Sequence, residues 1–178
     1  INASDGSGEA DDSGAGSASN STMVITGGAI TVDAGGDGLD SNGAMTISGG
    51  TIVVNGPTDS GNGALDTGGT LRISGGTLFA AGSSGMAESP DTDSSQAWLQ
   101  SELTASAGQS VTISTTDGTQ IASYTVAKAT GNIVFSSSAI SAGSSYLVSV
   151  NGGSATTVTA NQSTGNTMGG AMGAPGPR

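Results

Sequence analysis

The sequence contains no cysteine and no histidine, has one Trp, two Tyr and two Phe, and sets three basic side chains against fourteen acidic ones, for a net charge of −11. Each scarcity removes a class of explanation. Without cysteine there is neither a disulfide framework nor thiolate chemistry. The redox compartment stays open, since an extracellular chain relying on repetition or metal and a cytosolic chain are equally compatible. Without histidine, and with Arg72, Lys128 and Arg178 as the cations, bases for proton abstraction are scarce. The acidic field repels nucleic-acid phosphates and anionic headgroups, so no nucleic acid partner is expected and cations are the natural counterparts. No apolar run approaches the length of a membrane span. Aromatics at 3% imply a core of thin aliphatic layers rather than large rings.

What the chain does contain is glycine, 32 residues of it, among abundant Ser and Thr, with Val, Ile and Leu in short alternating groups. Those groups repeat. Met23-Val24-Ile25-Thr26-Gly27-Gly28-Ala29-Ile30-Thr31-Val32-Asp33 is followed 22 residues later by Met45-Thr46-Ile47-Ser48-Gly49-Gly50-Thr51-Ile52-Val53-Val54-Asn55. Leu71-Arg72-Ile73-Ser74-Gly75-Gly76-Thr77-Leu78-Phe79-Ala80-Ala81 comes 26 residues after that, the extra four falling around Pro57 to Gly61. In each copy two period-2 strands flank a Gly-Gly corner, which places Met23, Ile25, Ile30 and Val32, and their equivalents, on one inward face. A third corner closes each copy: Asp37 to Asp40, Gly63 to Asp66 and, more weakly, Gly85 to Glu88. About 22 residues per turn predicts an all-β chain forming a three-sided right-handed parallel β-helix, a solenoid.

The expected organisation has four parts. Residues 1–22 form the end of an earlier coil plus an acidic surface loop, Ile1-Asn2-Ala3-Ser4 reading like Leu39-Asp40-Ser41-Asn42. On that reading the chain, which starts at Ile1, is processed or partial. Residues 23–90 are the parallel coils. Residues 91–160 are a connecting turn and an antiparallel β module, with a helical turn expected over Ser94 to Leu103 that carries Trp98 and Leu99 inward. Residues 161–178 are a flexible Gly/Met/Pro tail.

The run from Ile30 through Asp33-Ala34-Gly35-Gly36-Asp37-Gly38-Leu39-Asp40-Ser41-Asn42-Gly43, with Asn55-Gly56-Pro57-Thr58-Asp59-Ser60-Gly61-Asn62-Gly63-Ala64-Leu65-Asp66, resembles the bacterial secreted carbohydrate-binding β-helix family. The resemblance extends through Ser74-Gly75-Gly76-Thr77-Leu78 and covers about Met23 to Gly153. It implies an extracellular or cell-surface protein that binds cellulose, pectin or another cell-wall or plant-type polysaccharide, including acidic pectic chains, with calcium as the metal.

Superposing the copies places Asp40, Asp66 and Glu88 in one column, about 4.8 Å apart per layer. Stacked like charges need protons, solvent or a cation to offset them. Ca²⁺ takes oxygens from carboxylates, carbonyls and water at turns of this kind, so Asp37, Asp40, Asn62 and Asp66 are the expected ligands. A solvated acidic turn is the plain alternative. Asp33 and Asn55 form a second column, expected to be a side-chain hydrogen-bond ladder. Arg72 on an outward strand position is expected to be an ordinary surface residue, so no enzyme activity is expected. Two functions remain: non-catalytic polysaccharide binding stabilised by calcium, and a structural role as a homo-polymer, an extracellular filament grown by end-to-end stacking of β-helices.

Overall fold

In the computed structural model, which describes residues 1–3 and 21–162, the copies of the repeat lie side by side in the register their sequences share. The acidic loop and the tail expected over 4–20 and 163–178 lie outside the described residues. The strands are β1 (Asn2–Ala3), β2 (Thr22–Asp33), β3 (Leu39–Ser41), β4 (Ala44–Asn55), β5 (Leu65–Thr67), β6 (Leu71–Ile73), β7 (Thr77–Gly82), β8 (Trp98–Ala105), β9 (Ser110–Thr115), β10 (Gln120–Thr125), β11 (Thr130–Ser136), β12 (Ser145–Val150) and β13 (Thr156–Thr159).

Met23 pairs with Met45 and Met45 with Leu71; Ile30 pairs with Ile52 and Ile52 with Leu78, all in parallel strands. The Gly-Gly corners let the chain bend while neighbouring backbones stay in contact. Gly50 has φ +96°, and a Cβ built there would lie 2.9 Å from the Gly27 carbonyl carbon, so only glycine fits both the conformation and the space. A separate parallel sheet, β1-β3-β5, faces this wall. Between them Leu39, Met45, Ile47, Ile52, Val54, Leu65, Leu71, Ile73 and Leu78 are buried in one core. Each such side chain contributes roughly 1.5–3 kcal/mol by leaving water.

The solenoid expectation is overturned. The parallel order does not continue into a coil with three faces: β7 is followed across the sheet by β11 and then β8, each antiparallel to the strand before it, in the order β2-β4-β7-β11-β8. The third corner of the last copy, Gly85 to Glu88, forms no strand. The described residues are therefore all-β with mixed pairing, in three separate sheets of three, six and four strands, not a parallel β-helix. The physical reason lies in the third copy. Phe79 occupies the outward position that Thr31 and Val53 hold in the earlier copies. A large ring there needs cover, which the four-stranded antiparallel sheet β10-β9-β12-β13 provides. Phe79, Leu99, Val111, Ile113, Ile133, Phe135 and Val148 form a second core on the opposite face of the six-stranded sheet. Tyr124 stacks on Phe79 with ring centroids 4.2 Å apart and planes inclined by 12°.

The helical turn expected over Ser94 to Leu103 is also corrected: Trp98 to Ala105 is strand β8. Trp98 and Leu99 are both buried, as expected, but alternation sends them to different cores, Trp98 to the repeat side and Leu99 to the far side. Ser94 ties this segment to the end of β6, its Oγ accepting from Ile73 N at 3.2 Å.

Candidate functional site

Two features come from the turns that follow the repeated strands. The first is the acidic ladder. Strands β3 and β5 are parallel, with Asp40 opposite Asp66. The Asn2 amide donates to Asp40 Oδ2. Asp37 Oδ1 accepts from Gly63 N at 2.7 Å, so this carboxylate ties two layers together through the backbone. Glu88 does not complete the column. It steps aside by one residue, accepting from Thr67 N at 2.7 Å and from the Thr67 hydroxyl.

Burial pushes the Asp40 carboxyl above its ordinary range, with the nearby Asp37 charge adding and the Ile1 ammonium opposing. Asp66 is raised by burial, then by Asp37 and Asp40. Glu88 is raised by burial, against the hydrogen bonds from Thr67, with Asp66 and Asp91 adding to the rise. Asp66 and Glu88 are thus each made weaker acids by a carboxylate of the layer before, with burial the larger cause.

Of the four expected calcium ligands, Asp40 and Asp66 stand opposite one another and Asp37 and Asn62 lie in the adjoining turns. Asn62 is half-buried with its Oδ1 beside Gly36, its side-chain amide donating to Asp59 Oδ1 at 3.5 Å, and its backbone carbonyl accepts from Ser83 Oγ at 2.8 Å. Asp37 and Asp40 each have an oxygen committed to a hydrogen bond. Among the described residues no group of three or more carboxylate side chains converges as a cation site.

The second column behaves unlike the expected ladder. Asn55 Oδ1 accepts from Ala127 N at 3.1 Å, and Asp33 pairs with Lys128, whose Nζ also donates to Ala34 O at 2.5 Å. Both side chains fasten the segment after β10 onto the repeat. Composition and spacing held no signal for this, because the partner lies about seventy residues away in sequence. Arg72 is a surface residue, bridging to Asp93 at 2.7 Å with both side chains more than half exposed.

The second feature is a groove of about 320 Å³ where the Pro57 to Gly61 turn and the Ser83 to Gly85 bend meet the ends of β8 and β11. Its wall is formed by Thr58, Ser60, Ser83, Ser84, Thr104, Ser106 and Thr130 among small residues, with no ionisable group. The backbone packing is close. A Cβ on Gly131 would lie 3.1 Å from Ser84 N, and one on Gly85 would strike the Ser60 carbonyl. The four-residue insertion at Pro57 to Gly61, noted in the sequence only as a longer turn, builds one wall of the groove. Hydroxyls held on rigid backbone both donate and accept, which suits a neutral ligand rich in hydroxyls. The aromatic rings contribute no sugar-stacking platform: Trp98, Phe79 and Phe135 are at most 1% exposed, Tyr146 is buried, and Tyr124 has one face against Phe79.

No helix among the described residues is long and apolar enough to cross a membrane. No family model matches this chain, and neither a curated protein nor a solved structure matches it.

Proposed function

We propose that this chain is a non-catalytic polysaccharide-binding module, working outside the cell or at its surface, whose contact surface is the hydroxyl-lined groove between the turns of the repeat and the ends of β8 and β11. The observation that carries the reading is the groove's lining: seven Ser and Thr residues and no charge, on a protein that is otherwise strongly acidic. A neutral glycan meets no repulsion there, and its hydroxyls exchange hydrogen bonds with donors and acceptors already held in place. An acidic, pectin-like chain meets the acidic face of the molecule and needs a bridging cation such as Ca²⁺.

The test is affinity electrophoresis through gels containing a soluble neutral glucan or a pectate, with calcium or with chelator. Retardation by the neutral polymer, independent of calcium and lost in a Ser60→Leu/Thr104→Leu variant, is the expected result. Retardation by pectate is expected with calcium alone. Mobility unchanged by every polymer overturns the proposal.

A further inference from the structure

Gly27 has no local reason to be glycine. Its φ is not among the positive values of the chain, and a Cβ built on it meets nothing within 4 Å. At the same position in the next two copies glycine is compulsory. A Cβ on Gly49 strikes the Thr26 carbonyl, and one on Gly75 would lie 2.5 Å from the Ser48 carbonyl oxygen. In both cases the obstacle is the backbone of the strand one layer earlier. For Gly27 that layer is the outer edge of β2, along which no described strand runs.

Two further observations concern the same edge. Met23, Ile25 and Val32 keep 7%, 8% and 8% exposure, whereas Met45, Ile47 and Val54, their partners one layer in, keep none. The layer beyond β2 has already begun on the facing sheet, where β1 pairs in parallel with β3. Ile1 O accepts from Asp40 N at 2.9 Å and Ala3 O from Asn42 N at 3.2 Å.

We infer that the outer edge of β2 is a docking surface for one parallel polypeptide strand that carries its own Thr/Ser-Gly-Gly corner, seated in the layer that β1 occupies. A strand of that pattern puts a carbonyl where Gly27 leaves room, covers the three residual apolar exposures, and satisfies the edge amides and carbonyls between Val24 and Val32. A second copy of this chain meets those requirements less well. Two β2 edges joined about a twofold axis pair either antiparallel or with their inner rows turned to opposite faces, and neither matches the clearance at Gly27.

The experiment is amide hydrogen exchange on the whole chain, alone and with a synthetic peptide of the Ala44–Asn55 sequence, beside a scrambled peptide and a Gly27→Ala variant. The expected result is slowing of exchange along Val24 to Val32 by at least about tenfold with the repeat peptide only. Gly27→Ala is expected to keep the wild-type melting temperature and to lose that protection, because its Cβ then meets the incoming carbonyl. Four results each overturn the inference: β2 amides already as protected as those of β4 in the monomer alone, a dimer in sedimentation equilibrium, protection retained in Gly27→Ala, or Gly27→Ala unstable by itself.

Discussion

Asp40 sits directly opposite Asp66 on adjacent parallel strands, and the Asp66 carboxyl is a weaker acid for its burial and for the Asp37 and Asp40 charges one layer away, whereas Asp40 is raised by burial and by Asp37 of its own turn. In both, burial is the larger cause. A carboxyl raised in the folded state binds more protons there than in the unfolded chain, so its stabilisation is complete below the ordinary carboxyl range and vanishes as pH climbs through the raised value. Glu88 acts in the same direction. Asp117, lowered by hydrogen bonds from Thr115 and Thr119, acts in the opposite sense but is fully exposed. The melting temperature is therefore expected to be higher near pH 4 than near pH 7. Asp66→Asn should raise it near pH 7 and flatten the slope. A melting temperature that rises steadily over that range, or an Asp66→Asn protein less stable than wild type near neutrality, contradicts the ladder's electrostatics.

Lys128 joins the segment after β10 to the end of β2 by an ion pair with Asp33 and a hydrogen bond to Ala34 O. Asp33 is largely exposed, so the pair itself is worth little, whereas the charged donor on a backbone carbonyl is worth more. Lys128→Met is expected to cost roughly 1–2 kcal/mol in denaturant unfolding, part of it lost from the wild type in high salt. A cost that disappears entirely in salt would assign the whole effect to the ion pair.

Gly49 separates β2 from β4 by the width of a hydrogen atom in place of a methyl group. Because the obstacle to Gly49→Ala is the Thr26 backbone rather than a flexible side-chain tip, the two layers must move apart. The expected loss is about 2 kcal/mol or more by urea unfolding. Gly76→Ala adds the strain of φ +84° to a Cβ only 2.7 Å from the Gly49 carbonyl carbon, and should cost more. Equal and small losses at both sites would mean that the layers are not in close backbone contact.

Register was legible where it depended on local pattern. The shared spacing of Met23, Met45 and Leu71 anticipated their pairing, since a slip by one residue would turn each inward row outward. Architecture was not legible, because it was decided by residues whose alternation looked ordinary. Phe79 reads as an outward position of a repeated strand, yet it belongs to a second core most of whose members come from residues 97–160. The acidic column was half visible. Asp40 and Asp66 stack as spacing implied, whereas Glu88 follows a bend with no strand and finds Thr67 instead. The groove carried no motif at all, being made of Ser and Thr from four separate segments that only the antiparallel return of β11 brings together.

Asn161 and Trp98 exchange hydrogen bonds in both directions: Asn161 N donates to Trp98 O at 2.8 Å, and Trp98 N donates to Asn161 Oδ1 at 3.0 Å. The indole adds a third tie, Nε1 donating to Asp91 O at 3.3 Å. Asn161 reaches this position with φ +61°, a conformation that asparagine tolerates better than most residues. Two substitutions separate conformation from contact. Asn161→Gly keeps the backbone conformation and loses the side-chain acceptor, for an expected cost of about 1 kcal/mol. Asn161→Ala loses the acceptor and strains the backbone, for roughly 1–2 kcal/mol more. Trp98 is the single tryptophan and is buried, so its emission reports on this junction directly. Both variants should unfold earlier by tryptophan fluorescence, Ala before Gly, with the native emission maximum unchanged. If Ala is no worse than Gly, the left-handed backbone at Asn161 is not what closes the end of the antiparallel sheet against β8.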